Sequence, residues 1–206
     1  MQKELSVVII PTYNEKENIE KMVRKVFSLS EPFHILVVDD GSPDGTAAIV
    51  KTLMAEFPER LHILERQSKD GLGRAYKAGF NWALGQGYDS GIMVKDWPLG
   101  RILISYGASF YVRSILWMKV YDSTAGFVCY RSKVLKTIDL DKVRMKGYGF
   151  QIEMKYNAWR LGFKIQEVPI TFTDRKEGVS KMSGSIFGEA FRGVIALRFR
   201  KSRGRQ

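Results

Sequence analysis

Two adjacent carboxylates, Asp39 and Asp40, end an apolar run in a chain that is otherwise strongly basic. The run "ILVV" at 35–38 is typical of a buried strand, and the turn-forming residues "GSPDGT" follow at 41–46. Folding alone gives no reason for two negative charges there. A carboxylate facing a crevice can accept hydrogen bonds from a nucleobase or a ribose hydroxyl. The alternative is a turn through Asp40, with Asp44 capping the next helix.

A second polar segment, "PTYNEKEN" at 11–18, follows the first apolar run of the chain. Tyr13 could stack on a base while Glu15 accepts from its N–H edge. The alternative is a strand ended by proline and a helix that is capped by Asn14 or Glu15. The two segments together favour nucleotide binding, because ligands of parallel sheets bind beyond the carboxyl ends of the strands.

Two further segments carry cations that suit phosphate groups. "GLGRAYKAG" at 71–79 departs from the dinucleotide-binding fingerprint at its third glycine, so we reject a dinucleotide cofactor. Arg74, in the first turn of the helix expected there, remains a candidate phosphate contact. "TDRKEGVSKMS" at 173–183 places Arg175 and Lys181 in a loop that could close over a diphosphate leaving group. A solvated loop is the alternative.

These segments need strands to position them, and the chain supplies a repeating pattern. The apolar runs "LSVVIIP" (5–11), "HILVVDD" (34–40) and "LHILER" (61–66) are each followed by a helical pattern. Strands alternating with helices predict an α/β fold with a mostly parallel central sheet between two layers of helices. We expect a single domain over 1–196 and a basic, disordered tail over 197–206.

Composition narrows the classes of partner. Among 206 residues, 33 Lys and Arg against 22 Asp and Glu leave a net charge of +11. Such a charge suggests nucleic acid, an anionic membrane surface or phosphorylated substrates as partners.

The cysteine count and the hydropathy bear on the compartment. The single cysteine, Cys129, excludes an internal disulfide and a cysteine zinc cluster, which is consistent with a protein of the reducing cytoplasm. We find no signal peptide and no apolar stretch long enough to span a bilayer, so we expect no membrane crossing.

Seven motifs occur in an order that carries a resemblance. They are "VVIIPTYNEKENIE", "VVDDGSPDGT", "GLGRAYKAGF", "WPLGR", "STAGFVCYRSKVL", "GYGFQIEM" and "GVSKMSGSIFGEA". The chain resembles the family 2 inverting glycosyltransferases, and most closely the short polyprenol-phosphate (dolichol-phosphate) mannose synthases without membrane helices. The resemblance implies a three-layer nucleotide-sugar transferase of the GT-A kind. It also implies transfer of a hexose, mannose from GDP-mannose, to a polyprenyl or dolichyl monophosphate.

The resemblance implies roles for residues that match the family motifs. The donor nucleotide would be held by Pro11, Tyr13, Glu15 and Asp40, to which we add Asp39 and Arg74 from the residues themselves. Acceptor or donor phosphates would meet Arg101 and Lys181, and we add Arg175 of the basic loop as a contact to the leaving group. The sugar and acceptor cleft would be lined by Asp122, Ser123, Gly126, Gln151 and Glu153. Among all of these, we predict catalytic roles for Arg101, Arg175, Lys181 and Glu153.

One part of the family pattern is missing. The resemblance implies Mg²⁺ or Mn²⁺ held by an Asp-x-Asp motif between "GYDS" and "GIMVKDW", and the chain lacks it, as if deleted near residues 90–91. Its only Asp-x-Asp, Asp139–Asp141, is expected to form a turn at a helix end. Without carboxylate ligands a divalent ion has no oxygen cage. Either the sequence omits a segment, or this is a true deletion and a catalytically dead homologue.

The segment over 97–121 suggests where a lipid acceptor would be met. Trp97, Tyr106, Tyr111 and Trp117 interleave with basic residues there, and the 192–205 region is basic as well. This pattern predicts peripheral attachment to an anionic membrane at its cytoplasmic face; a pair of core helices is the alternative.

A nucleic-acid-binding module is the rival function. No nucleic-acid motif is present and carboxylates line the predicted crevice, so we expect no nucleic-acid partner.

Overall fold

A computed structural model describes residues 5–93, 101–145, 147–168 and 184–200. The chain divides into two compact units. The first comprises Met1–Val94 and Phe127–Leu135, and the second comprises Lys95–Gly126 and Lys136–Gln206. None of the described helices is both long enough and apolar enough to cross a membrane.

The first unit is built on a five-stranded sheet. Its strands are β1 (Ser6–Thr12), β2 (His34–Asp39), β3 (Leu61–Glu65), β4 (Ser90–Met93) and β5 (Val128–Arg131). They lie in the order β3-β2-β1-β4-β5, and only the β4–β5 pairing is antiparallel. The predicted mostly parallel sheet is confirmed. β1 and β2 are near-continuous apolar runs because helices cover both faces of the sheet.

Helices flank this sheet on its two faces. They are α1 (Ile19–Phe27), α2 (Thr46–Glu56) and α3 (Leu72–Gly85). Val8 and Ile10 pack with α1 and α2 in one apolar cluster. Ile9 points the other way, since a Cβ built on Gly79 of α3 would lie 2.7 Å from its Cγ2. Side chains alternate across a strand, so the two helix layers cover opposite faces, as predicted.

Helix α1 begins later than expected. The sequence predicts a helix capped by Asn14 or Glu15, but the helix begins at Ile19 and its N-cap is Asn18. Asn14 has φ +58°, in the left-handed region, so the chain turns there instead of entering a helix. Residues 14–18 form a loop.

The second unit is helical in its described part. Its helices are α4 (Arg101–Leu116), the 3₁₀ helix η1 (Leu140–Lys142), α6 (Gly147–Arg160) and α7 (Gly184–Phe199), and α5 (Ser132–Thr137) joins the two units. Residues of α4, α6 and α7 share one apolar cluster, which includes Leu116, Tyr156 and Leu197. Leu197 is buried and α7 continues to Phe199, whereas the boundary between domain and tail at residue 196 stays a prediction.

Candidate active site

Asp39 ties the ends of β1 and β2 together. Its Oδ1 accepts hydrogen bonds from Thr12 Oγ1 (2.8 Å) and Ser42 Oγ (2.6 Å), and its Oδ2 accepts from the Ser42 amide (2.8 Å). The side chain is almost fully buried. These contacts satisfy the carboxylate within the protein and favour a positioning role for Asp39. Direct contact with a donor nucleotide stays a prediction.

The two loops that follow β1 and β2 are joined by further hydrogen bonds. The Asn14 amide donates to Ser42 Oγ (3.0 Å), and the Glu15 amide donates to Thr46 Oγ1 (3.0 Å). Asp44 accepts from the Lys16 amide through Oδ2 (3.1 Å) and from the Thr46 amide at the start of α2 through Oδ1 (3.0 Å). Asp44 thus contacts the first amide of α2, as the turn interpretation predicts, whereas the crevice interpretation of "DDGSPDGT" stays a prediction.

Asp40 is paired with a residue that sequence reasoning missed. Arg66 Nη1 lies 2.7 Å from Asp40 Oδ1, and only 7% of the Asp40 side chain is exposed. Burial raises the pKa of Asp40, and the Arg66 guanidinium opposes that rise. Arg66 follows β3 directly, and its amide donates to the Asp39 carbonyl (2.8 Å). Its position at the end of a third parallel strand was the signal that could have found it.

Cations surround the remaining donor-side residues. Lys69 Nζ lies 4.3 Å from the centroid of the Tyr13 ring. Arg74 pairs with Asp70 at 3.2 Å and is more than half exposed. Pro11 lies opposite Val38 in the β1–β2 register. The carboxyl edge of the sheet thus brings together a ring, two carboxylates and several cations, which suits a nucleoside diphosphate.

The predicted acceptor-side residues lie in the second unit. Asp122, Ser123 and Gly126 belong to one loop, in which the Asp122 side chain accepts from the amide and hydroxyl of Thr124 (both 3.1 Å). Asp122 itself is exposed, whereas Ser123 is fully buried and its hydroxyl lies 3.4 Å from that of Ser109. An exposed Asp122 remains available to a ligand.

Glu153 is satisfied inside the second unit. Its Oε2 accepts from the amides of Arg144 (3.0 Å) and Met145 (2.8 Å), and its Oε1 pairs with Arg200. With no exposed surface, the carboxylate holds the loop before α6 and the end of α7. This arrangement favours a structural role, and the predicted catalytic role stays untested.

Gln151 differs from Glu153. Its amide is almost fully buried, and within the described part of the chain neither its Oε1 nor its Nε2 has a hydrogen-bond partner. An unmade hydrogen bond on a buried amide costs about 1–3 kcal/mol. A polar ligand would remove that cost, which is consistent with the predicted place of Gln151 in the cleft.

The side chains of three predicted catalytic cations lie outside the described part of the structure. Arg101 begins α4, but its side chain lies outside the described part of the structure. Arg175 and Lys181 fall within 169–183, outside the described residues. Their roles stay predictions.

The described residues do not fit the divalent ion that the resemblance implies. Across 5–93, 101–145, 147–168 and 184–200, no group of three or more His, Cys, Asp or Glu could hold a metal. Asp139 caps η1, accepting from the Asp141 amide (3.2 Å) and pairing with Lys142 (2.6 Å). The prediction that Asp139–Asp141 is a turn is confirmed.

Comparison with known proteins shows which class of protein this chain resembles in family and in fold. A family model described as "Glycosyl transferase family 2" matches residues 7–93. Glucosyl-3-phosphoglycerate synthase from Mycobacterium tuberculosis, in complex with Mn²⁺, UDP and glucosyl-3-phosphoglycerate, has a similar structure. Its TM-score is 0.62 at 17% identity, over 94% of this chain and 78% of that one. The predicted GT-A-like fold is confirmed.

Two curated relatives are much closer in sequence. Polyprenol monophosphomannose synthase of Mycolicibacterium smegmatis is 43% identical over 90% of this chain and 83% of its own length. Undecaprenyl-phosphate mannosyltransferase of Micrococcus luteus is 41% identical over 89% of this chain and 90% of its own length. The chain therefore belongs to the family 2 glycosyltransferases.

The lengths of these alignments bear on the missing segment. The two alignments are 221 and 220 residues long, although they cover only 90% and 89% of this chain. The chain itself has 206 residues, so each alignment is longer than the part of the chain that it covers. Each alignment therefore contains positions where the relative has residues and this chain has none. The deletion near 90–91 agrees with this length difference, and its position stays a prediction.

Proposed function

We propose that this protein transfers a mannosyl residue from GDP-mannose to a polyprenyl or dolichyl monophosphate, with inversion at the anomeric carbon. The observation that carries the proposal is the identity above 40% with two polyprenol-phosphate mannose transferases over most of each chain. The carboxyl edge of the sheet supports a nucleotide donor, because Asp40 and Tyr13 offer an acceptor group and a stacking ring. The choice of GDP rests on the resemblance.

The reaction requires little proton transfer. A phosphate oxygen of the acceptor forms a bond to the anomeric carbon, and the bond from that carbon to the donor diphosphate breaks. The electron pair leaves with GDP. Positioning and cationic stabilisation of the leaving diphosphate supply most of the rate enhancement. We assign that stabilisation to Lys181 and Arg175, and contact with acceptor or donor phosphate to Arg101.

A family metal, Mg²⁺ or Mn²⁺, would add charge stabilisation at the diphosphate when bound. The described residues do not provide its ligands, so no step is derived through it. We propose that the natural protein carries them in a segment near residues 90–91. An intact mass above 23.6 kDa for the product of the source gene is the expected result. A mass of 23.6 kDa would favour a catalytically dead homologue.

We further propose that α4 and α7 attach the protein to the cytoplasmic face of an anionic membrane. Tyr111 of α4 stacks on Phe191 of α7 with ring centroids 4.2 Å apart, and the Arg198 guanidinium lies 4.2 Å from the Trp117 ring centroid. Trp117 is 70% exposed and Phe199 is 83% exposed. Exposed aromatic rings beside arginines suit the interface of an anionic bilayer. Trp97 and Tyr106 of the predicted belt lie outside the described side chains.

Transfer of labelled mannose from GDP-mannose to a polyprenyl phosphate in anionic vesicles tests the function. We expect a lipid-extractable product that disappears when polyprenyl phosphate is omitted or UDP-glucose replaces the donor. Asp40→Asn should lower transfer by reducing donor affinity. Donor binding without transfer, with or without added Mg²⁺ or Mn²⁺, would instead support a non-catalytic homologue, the alternative that the missing metal ligands favour.

A further inference from the structure

A buried lysine contacts the loop that carries Asp122 and Ser123. Lys155 lies on α6, and its Nζ donates to the backbone carbonyls of Asp122 (3.0 Å), Ser123 (3.2 Å) and Ala125 (3.0 Å). The side chain is about 5% exposed. An ammonium has three donors, and all three are used on one short stretch of backbone. Burying a charge has a large desolvation cost, so a buried lysine needs contacts that compensate for it.

Glu167 holds the same loop through its amides. Its Oε2 accepts from the Tyr121 amide (2.9 Å), and its Oε1 accepts from the Asp122 amide (2.8 Å). Lys155 therefore binds the carbonyls of the loop while Glu167 binds its amides. Both contacts are charge-assisted, and such hydrogen bonds are about twice as strong as neutral ones. The loop backbone is held in one conformation while the Asp122 side chain stays exposed.

We propose that Lys155 and Glu167 are positioning residues that hold the loop 121–125 in the conformation that lines the sugar and acceptor cleft. Neither residue contacts substrate. They raise the fraction of molecules in which the loop is competent to bind, and apparent affinity scales with that fraction. The inference rests on the proposed function for the identity of the ligand, but the clamp itself rests on the geometry.

The clamp has a pH dependence that an apolar support would lack. Burial lowers the pKa of Lys155 to about 8, and the nearby carboxylates of Asp122 and Glu167 oppose that shift. Above that pH the neutral amine turns a lone pair towards the carbonyls, so the clamp weakens as pH rises. The acceptor does not titrate in this range, because the second pKa of a phosphate monoester is about 6.

The test compares Lys155→Met, Glu167→Gln and the wild type. In the wild type, the KM for polyprenyl phosphate should be constant below about pH 8 and rise above it, while the donor KM does not change. Lys155→Met should raise the acceptor KM roughly tenfold or more and remove the pH dependence. Glu167→Gln should move the onset to lower pH, because it removes one of the carboxylates that raise the pKa of Lys155. Lys136→Met, at an exposed lysine, is the matched control and should behave as wild type.

Amide hydrogen exchange separates this inference from the proposed function, since it needs no substrate. The amides of Tyr121 and Asp122 should exchange faster in Lys155→Met than in wild type or Lys136→Met. Unchanged exchange together with an unchanged acceptor KM would overturn the clamp. Faster exchange in a protein that transfers no mannose would overturn the function and leave the clamp standing. If Lys155→Met does not fold, the Glu167→Gln variant tests the clamp instead. An acceptor KM that rises at the same pH as in wild type would then overturn it.

Discussion

At the scale of single residues, adjacent acids in this chain have different tasks. Asp39 accepts hydrogen bonds from Thr12 and Ser42, whereas Asp40 forms an ion pair with Arg66. Removing one partner of a buried ion pair costs more than the pair contributes, because the other charge stays buried. Burial raises the pKa of Asp40, and Arg66 opposes that rise, so Arg66 favours the charged form of the carboxylate that we assign to the donor.

The Arg66→Met variant tests this effect of Arg66 on the pKa of Asp40. Arg66 lowers the pKa of Asp40 against the effect of burial, so its loss should raise that pKa further. We expect the acid limb of kcat/KM for GDP-mannose to move to higher pH, with a donor KM raised roughly tenfold. Arg24→Met, at a surface arginine paired with two exposed glutamates, is the control and should leave the pH profile unchanged. An acid limb at the wild-type position in Arg66→Met would contradict the assignment.

At the scale of elements, the close approach of α3 to the sheet depends on one glycine. A Cβ on Gly79 would lie 2.7 Å from Ile9 Cγ2 and 3.3 Å from Val38 Cγ2. The methyl groups of β-branched residues move little, so the helix would have to shift outward. That shift would disturb the strands that carry Asp39 and Asp40.

Gly79→Ala should destabilise the protein by about 1–3 kcal/mol through overpacking. Gly85→Ala, in the same helix with open space at its Cβ, should be neutral or stabilising by up to about 1 kcal/mol. Urea unfolding of both variants measures the difference. Equal stabilities would show that α3 accommodates the methyl group without cost.

The amino-terminal ends of β2 and β3 carry a pair of histidines. The Tyr88 hydroxyl lies 2.8 Å from His34 Nδ1 and 3.4 Å from His62 Nε2. Burial lowers the pKa of both imidazoles, and for His34 the charges of His62 and Arg60 lower it further. At a pH below 6.5, the ordinary pKa of histidine, these two side chains therefore bind more protons in the unfolded chain than in the folded protein.

Stability should consequently be constant above about pH 6.5 and fall as the pH decreases below it. We expect lower urea midpoints at about pH 5.5 than at about pH 7.5, and a smaller difference in His34→Gln, which removes one of the two groups. Lys25→Gln, at an exposed position of α1, controls for a change of charge alone. An identical pH dependence in His34→Gln and wild type would exclude His34 as its source.

At the scale of the whole molecule, we propose that the excess of positive charge and the exposed rings of α4 and α7 act on the same partner, an anionic membrane. Electrostatic attraction contributes about 1 kcal/mol for each basic residue near an anionic surface, and exposed rings add apolar burial. Membrane attachment should therefore need both anionic lipid and the aromatic side chains.

The double variant Trp117→Ala and Phe199→Ala should bind anionic vesicles roughly tenfold more weakly, with little change in melting temperature because both rings are exposed. Leu29→Ala, at an exposed leucine of the first unit, is the control and should bind as wild type. Co-sedimentation with anionic and neutral vesicles at low and high salt measures this. Wild-type binding by the double variant would place the attachment elsewhere.

The sequence by itself determined the class of fold and brought polar residues to the edge of the sheet where we propose the donor site. Continuous apolar runs such as "VVII" and "LVVD" predict buried parallel strands, and polar residues at their carboxyl ends meet at one edge because parallel strands share a direction. The order of motifs indicated the family. These properties are local in the chain, so a pattern of neighbouring residues records them.

Only the tertiary structure decided which partner each charged side chain has. Arg66 meets Asp40 across 26 positions of sequence, and Lys155 meets the Asp122 carbonyl across 33. No periodicity encodes such pairs, because they depend on how distant elements pack and on which charges become buried. Burial also gives the Glu153 carboxylate partners inside its own unit, Arg200 and two backbone amides, while its predicted place in the cleft stays a prediction. The chemistry of these residues is set by surroundings that the sequence does not state.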